Sequence, residues 1–489
     1  MFKGHPKGLY VCFVAEMFER LCFYGMRALL TLYLTKSLLL GDERAFAIYG
    51  AYTALVYAAP VWGGKLADAV LGYRRAIVFG GLVMAAGEFM ILGGNDFWLF
   101  AGMGAIIIGN GYFKANISTI VGRLYQEGDP RRDAGFTIFY MGINLGSLLA
   151  TLVVAPIGET RGYLLGFAIA GVGMLLAVGT FLMGAHLLEG HGEPRDPERY
   201  RRWSKPVYAV SLLAIPGIYV LINWGTTVKI LGQDLLFWIL IGLLSFVCFT
   251  LLTEAFKSDR VQRDRILVLM ILMVFNVVFW ACFEQAGSSL TLFADRNVDR
   301  DVAGLFTMPA SMTQFFNPAF ILLLGSFFSV MWVRLSRAGR NPSIPMKFGL
   351  GIVQLGLGYL VLLVGAALAG DRALVPLFVL ALMYLLHTTG ELFLSPIGLS
   401  MVTKLAPRHL TGTVMGAWFL SFAFSNYLAS VLARLTGGGE GVDMAALPPA
   451  ESLAGYVDVF GSMGMITVGI GLGLVAISRF LNRMMHGVN

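Results

Sequence analysis

Charged residues are scarce in this chain. Asp, Glu, Lys and Arg make up only 13% of its 489 residues, whereas hydrophobic residues make up 57%. A soluble domain averages about 25% charged residues, so the deficit excludes an ordinary soluble domain and predicts a polytopic membrane protein with the lipid bilayer as a partner. The formal net charge of +7 fits basic cytoplasmic loops. No basic run interleaved with aromatic residues indicates a nucleic-acid partner.

Cysteine is also rare, and no long polar segment is available for a soluble domain. The four cysteines, Cys12, Cys22, Cys248 and Cys282, all lie in apolar stretches, and their spacing matches neither a metal site nor a disulfide framework. We therefore expect small buried side chains at these positions and no cofactor. A membrane enzyme would show a metal cluster or an activated nucleophile, and a sensor would need an output domain. The sequence disfavours both classes, and we expect no enzymatic activity.

Long apolar runs are what the chain does contain. About fourteen of them reach the ~20 residues that cross a bilayer, grouped as six, two and six around a polar stretch. They predict an N-terminal six-helix bundle over 1–188, a cytoplasmic linker over 189–205, two additional transmembrane helices over 206–257 and a C-terminal six-helix bundle over 258–489. Two halves joined by a linker are typical of a transporter with its site at the repeat interface near the bilayer midplane.

Lys and Arg are concentrated in alternate loops. Arg74 and Arg75 follow the second span, and the linker is dense in Arg, while the opposite set of loops is sparse. Loops rich in Lys and Arg are usually cytoplasmic, so we predict a multi-pass protein of the cytoplasmic (inner) membrane with both termini inside. The loop from Gly63 to Arg75 resembles the cytoplasmic loop signature of the major facilitator superfamily, with one extra residue between Asp68 and Gly72.

The first span carries charges that a transmembrane helix normally avoids. Each charge near the membrane centre costs roughly 2.5–3.5 kcal/mol on insertion scales. The charged side chains, together with two aromatic ones, nevertheless fall at i, i+3, i+4, i+7, i+8 and i+11, which is one helical face. That stripe consists of Glu16, Glu19, Arg20, Phe23, Tyr24 and Arg27. Ionisable groups inside spans are functional candidates, and the alternative is a structural ion-pair ladder that fixes helix packing.

Further charges in the two halves have opposite signs. The first half contributes cations, including Arg27 and Lys114, and the second half contributes Glu284 and Glu391. A cavity between the halves would therefore suit a zwitterion, and Arg27–Glu284 and Lys114–Glu391 could form gating salt bridges when it is empty. Asn144 in the fifth span could bind substrate or, equally, bond across helices.

Two other ionisable residues in the spans keep open roles. His387 lies one turn from Glu391 and could relay protons, although a lone histidine inside a membrane is also often structural. Glu88 in the third span has no partner that the sequence can name.

Two motifs carry a family resemblance. The pattern E-x-x-E-R-F-x-Y-Y is present from Glu16 to Tyr24, with Leu21 and Phe23 departing from it, and the stretch from Phe139 to Leu148 matches F-Y-x-x-I-N-x-G-S-L fully. Over essentially its whole length, the chain resembles the proton-dependent oligopeptide transporter (POT) family in its fourteen-helix bacterial form. The resemblance implies an all-α polytopic protein with the major facilitator fold.

The resemblance also implies a function. Family members import di- and tripeptides with protons by alternating access, which makes the proton the coupling ion; a monomer is expected. Glu16, Glu19, Arg20 and Glu284 then stand at proton-coupling positions. The implied peptide contacts are Tyr24, Arg27, Tyr57, Lys114, Asn144, Asn317, Glu391 and Trp418. The alternative is the same fold with another small zwitterion or anion as substrate, such as an amino acid, nitrate or a peptide-like drug.

Overall fold

The computed structural model describes residues 4–126, 129, 131–407, 411–437, 444 and 446–488. Helices dominate this part of the chain. They are α1 Lys7–Leu32, α2 Asp42–Ala58, α3 Pro60–Leu66, α4 Tyr73–Ile91, α5 Asp96–Arg123, α6 Arg132–Leu149, α7 Ala155–Arg161, α8 Tyr163–Met183, α9 Pro197–Gly225, α10 Leu235–Lys257, α11 Arg260–Phe283, α12 Ser289–Asn297, α13 Phe316–Arg337, α14 Ile344–Ala367, α15 Leu377–Leu405, α16 Thr411–Leu435 and α17 Pro449–Met484.

The strands are two residues long and pair only locally or between loops. They are β1 Lys229–Ile230, β2 Gln233–Asp234, β3 Val298–Asp299, β4 Asp301–Val302, β5 Phe306–Thr307 and β6 Val375–Pro376. β1 with β2 and β4 with β5 form antiparallel pairs, and β3 with β6 forms a parallel pair.

The number of membrane spans agrees with the sequence. Eleven stretches of the described residues are long and apolar enough to cross a membrane. Three further helices, α1, α4 and α5, have 26, 19 and 28 residues but carry charged side chains within their length. They bring the number of spanning helices to fourteen, and the prediction of an all-α polytopic protein is confirmed.

Some spans combine α-helix with other helical turns. The span Asp42–Leu71 joins α2, α3 and a π-helical turn over Ala67–Leu71, and the span Arg260–Gly287 ends in a 3₁₀ turn over Glu284–Gly287. Departures from α geometry within a helix are frequent at functional positions, and Glu284 begins one of them.

The chain divides into two compact units. Unit 1 comprises Met1–Leu40 and Ala51–Leu235, and unit 2 comprises Gly41–Gly50 and Leu236–Asn489. Helix α9 packs against α5 within unit 1. Within unit 2, the start of α2 is held by Arg296, whose Nη2 lies 2.8 Å from Asp42 Oδ1.

Glycine lets neighbouring helices approach closely inside each unit. A Cβ added at Gly80 of α4 would lie 2.4 Å from the carbonyl oxygen of Gly109 in α5, and one added at Gly356 of α14 would lie 2.8 Å from that of Gly464 in α17. Small residues at such contacts are how helices pack without a hydrophobic driving force between them.

The loop signature forms a polar cluster in unit 1. Gly72 adopts a positive φ of 74° before α4, a conformation that glycine tolerates best. The Asp68 carboxylate accepts a hydrogen bond from the Tyr73 hydroxyl and lies 3.3 Å from Arg195 Nη2. Arg123 Nη2 donates to the same Tyr73 oxygen at 2.7 Å. These contacts join the loop, the end of α5 and the polar linker.

Candidate functional site

Helix α1 presents three charges that interact directly. Arg20 Nε donates to the Glu19 carboxylate and lies 3.2 Å from Glu16 Oε1. Glu19 Oε1 also accepts a hydrogen bond from Asn110 Nδ2 of α5 at 3.2 Å. The three charged residues are at most 2% exposed. Two carboxylates therefore share one guanidinium.

Aromatic rings continue the polar stripe along α1. The Arg20 guanidinium lies 5.1 Å from the centroid of Phe23, and the Arg27 guanidinium lies 5.8 Å from the centroid of Tyr24. Cations within about 6 Å of an aromatic face are attracted by its quadrupole. Phe23 stands where the family motif has a tyrosine. The ring beside the Arg20 guanidinium therefore carries no hydroxyl.

Lys114 and Tyr57 also meet in unit 1. Lys114 Nζ of α5 lies 4.2 Å from the ring centroid of Tyr57 in α2. Lys114 also interacts electrostatically with Glu16, which links it to the charge cluster of α1. Asn144 Nδ2 donates to the Tyr140 carbonyl of its own helix at 3.0 Å.

In unit 2 the two predicted carboxylates are buried near each other. Glu391 Oε2 of α15 accepts a hydrogen bond from Asn317 Nδ2 of α13 at 2.9 Å, and the same amide lies 3.1 Å from Thr388 Oγ1. Glu284 is 2% exposed and interacts electrostatically with Glu391. Asn317 therefore orients the Glu391 carboxylate, a contact that the sequence did not predict.

Trp418 belongs to an aromatic cluster of unit 2. It is 3% exposed and packs edge-on against Phe422 at 5.8 Å, and Phe422 lies 5.3 Å from Trp280. Trp280 Nε1 donates to Asn276 Oδ1 at 3.1 Å, and Asn276 Nδ2 donates to Ser421 Oγ at 3.1 Å. Sequence reasoning missed Asn276, although its i,i+4 spacing from Trp280 in an apolar span was a usable signal.

Two more partners were missed because they join distant segments. Asn110 lies four residues before Lys114, and nothing in the sequence indicated that it would donate a hydrogen bond to Glu19. Glu88 has Cys22 as its partner, with Cys22 Sγ donating to Glu88 Oε1 at 3.4 Å. The other oxygen, Glu88 Oε2, is buried without a hydrogen-bond partner among the residues that the structure describes.

His387 lies in a packed environment. Its ring is 4.8 Å from that of Tyr359, and a Cβ added at Gly358 would lie 2.8 Å from its Nε2. That nitrogen has no hydrogen-bond partner within the described part of the chain. These contacts favour the structural interpretation of His387 over the relay.

The predicted charged residues are divided between the two units. Arg27 and Lys114 belong to unit 1, and Glu284 and Glu391 belong to unit 2.

The described residues contain no group of three or more His, Cys, Asp or Glu side chains that could hold a metal ion.

Buried, paired charges inside spanning helices are typical of membrane transporters, and comparison with known proteins identifies the family. A family model described as the POT family matches residues 74–446. The chain is 34% identical over 490 residues to dipeptide and tripeptide permease B of Xenorhabdus bovienii, covering 98% of this chain and 96% of that protein. The chain belongs to the POT family, as its motifs predicted.

A solved structure supports the fold assignment. The structure of the peptide transporter POT, a mutant in complex with alafosfalin, has a TM-score of 0.83 and 36% identity, covering 100% of this chain and 97% of that one. The chain therefore has the major facilitator fold expected from the sequence.

Proposed function

We propose that this protein is a proton-coupled symporter that imports di- and tripeptides across the cytoplasmic membrane by alternating access. Membership of the POT family and the dipeptide and tripeptide permease among its relatives support a peptide substrate. The observation that carries the proton coupling is the buried arrangement of Glu16 and Glu19 around Arg20, because both carboxylates compete for the same guanidinium.

The same cluster offers a way to couple protons to substrate. When Glu16 or Glu19 takes up a proton, Arg20 pairs with the carboxylate that stays ionised. Because Lys114 interacts electrostatically with Glu16, protonation of Glu16 also releases Lys114 to bind an anionic group. Glu284 is the proposed proton site and gate of unit 2.

The proposed peptide pose follows from charge. The peptide ammonium binds Glu391, which Asn317 orients, and the peptide carboxylate binds Arg27 and Lys114. The rings and the amide that complete the contacts are Tyr24, Tyr57, Trp418 and Asn144. Without peptide, Arg27–Glu284 and Lys114–Glu391 form the proposed salt bridges between the bundles.

The driving force is sufficient for accumulation. A proton that crosses 100 mV releases about 2.3 kcal/mol, and one pH unit adds about 1.4 kcal/mol. One proton per peptide would support roughly several hundred-fold accumulation.

The membrane arrangement is part of the proposal. We infer two six-helix bundles over 1–188 and 258–489, a cytoplasmic linker over 189–205 and two additional helices over 206–257, with both termini inside. We take the monomer as the transport unit. One solved structure with 23% identity and a TM-score of 0.80 is described as tetrameric, a likeness that concerns the fold alone.

Uptake of labelled dialanine into proteoliposomes tests the proposal. We expect concentrative uptake under an inward proton gradient and loss of accumulation when an uncoupler collapses that gradient. Absence of dialanine uptake in both conditions, with reconstitution verified, would contradict the peptide assignment, and uptake of amino acids, nitrate or peptide-like drugs would then identify the alternative substrate.

A further inference from the structure

A groove of about 400 Å³ lies between α4, α8 and α9 in unit 1. Charged residues line one end of the groove, and apolar residues line the rest of it. Arg74 and Arg75 stand at the start of α4, and Val78 and Leu82 continue the same wall. The peptide and proton sites proposed above involve none of these residues.

The charged end of the groove retains a positive charge. Arg74 Nη1 lies 2.8 Å from Glu193 Oε1, and Arg75 Nη2 lies 3.3 Å from Glu193 Oε2. The Arg75 guanidinium also stacks 4.1 Å from the ring centroid of Tyr200 in α9. Two guanidiniums share one carboxylate, so an anion can join them without displacing it. Their side chains are 25% and 40% exposed and accessible to such an anion.

The apolar length of the groove runs away from the arginines. Val78 and Leu82 follow Arg74 at i+4 and i+8, which places them on one face about 6 and 12 Å further along the helix. Leu82 and, on the facing helix α8, Leu182 are 49% and 53% exposed. An extended hydrocarbon chain would cover both leucines.

The groove is also placed where a lipid headgroup is expected. If α4 spans the membrane, as the sequence predicts, Arg74 and Arg75 at its start come to the level of the lipid headgroups. Tyr200 and Tyr208 of α9 line the same end, and tyrosine is enriched at membrane interfaces. Guanidiniums bind phosphate oxygens through paired hydrogen bonds, and basic pockets between membrane helices recognise anionic headgroups.

We propose that this groove is a binding site for one anionic phospholipid. Its phosphate binds Arg74 and Arg75, and one acyl chain extends along Val78 and Leu82. The lipid fills the space between α9 and the helices α4 and α8. This site gives α9, one of the two additional helices, a role in lipid binding, and it goes beyond the proposed transport function.

Native mass spectrometry of the full-length protein tests the site. The protein in detergent is titrated with phosphatidylglycerol and, separately, with phosphatidylcholine of the same chain length. We expect one phosphatidylglycerol to be retained at least about ten times more strongly, a difference of about 1.4 kcal/mol. The double variant R74Q/R75Q should abolish this preference. The matched control R334Q/R337Q, which removes two exposed cations from α13, should keep it.

A second variant separates a lipid site from a simple phosphate site. Leu82→Trp keeps both arginines but obstructs the apolar length, so it should weaken phosphatidylglycerol retention. Inorganic phosphate, added in excess, should not displace the lipid from the unmodified protein. Equal retention of the two lipids, equal losses in R74Q/R75Q and the control, or unchanged retention in Leu82→Trp would each overturn the proposal. The readout is lipid occupancy, so it is independent of peptide uptake.

Discussion

At the scale of single residues, the two carboxylates of α1 differ in their surroundings. The Glu19 carboxylate accepts hydrogen bonds from both Arg20 Nε and Asn110 Nδ2. Glu16 reaches Arg20 through Oε1, and its Oε2 has no hydrogen-bond partner in the part of the chain that the structure describes. Glu19 is therefore the better oriented of the two, and Glu16 is the one that interacts with Lys114.

Replacement of either carboxylate by an amide should uncouple transport. In Glu16→Gln and Glu19→Gln the side chain keeps its size but cannot carry a proton to and from an ionised state. We expect loss of gradient-driven dialanine accumulation, with peptide exchange across the proteoliposome membrane preserved.

Glu88→Gln is the matched control for these variants. Glu88 is also buried in unit 1, but its described partner is a thiol and not a cation. We expect this variant to keep concentrative uptake. Intact uphill transport in both Glu16→Gln and Glu19→Gln would contradict the assignment of proton coupling to α1.

Glu391→Ala should weaken the binding of peptides that have a free amino terminus. Loss of a charged hydrogen-bond partner costs about 1.5–3 kcal/mol, whereas an N-acetylated peptide has no ammonium group to lose. Competition of labelled dialanine by free and acetylated peptides measures the difference. Equal losses for the two ligand types would refute an ammonium site at Glu391.

At the scale of secondary-structure elements, the contact between α4 and α5 depends on glycine. Gly80→Ala would place a methyl group 2.4 Å from the Gly109 carbonyl oxygen, against backbone that cannot move aside easily. Overpacking of this kind costs typically about 1–3 kcal/mol. We expect a lower melting temperature in detergent.

Gly179→Ala in α8 is the control for this substitution. A Cβ at that position meets no atom within 4 Å among the described residues. Its melting temperature should stay near that of the unmodified protein. Equal melting temperatures for the two variants would show that the close approach of α4 and α5 contributes little to stability.

At the scale of the whole molecule, the proposed gates connect charges of unit 1 with charges of unit 2. Arg27→Glu alone should shift the peptide-free protein away from the state in which Arg27 pairs with Glu284, because two carboxylates would then repel. Adding Glu284→Arg should restore the attraction.

Distances between spin labels attached to the two units would report this change. We expect the single variant to alter the distance distribution and the double variant to return it toward that of the unmodified protein. A double variant that behaves as the sum of its two single variants would argue against direct pairing.

Periodicity and bilayer thickness made much of this protein predictable from its sequence. The number of spans followed from the length of apolar runs, because the bilayer sets how many residues a helix needs. The stripe of α1 followed from helix geometry, because residues at i+3 and i+4 share a face whatever surrounds the helix. The contact between Arg20 and Glu16, at i and i+4, arises in this way, whereas Glu19 precedes Arg20 directly in the sequence.

Only the tertiary structure decided which side chains meet across helices. The contacts Asn110–Glu19, Cys22–Glu88 and Asn276–Ser421 join residues that are 91, 66 and 145 positions apart. Each depends on the rotation and depth of one helix against another, and packing at small residues sets both. Hydropathy and periodicity describe one helix at a time, which is why the sequence predicted the charged residues but could not name these partners.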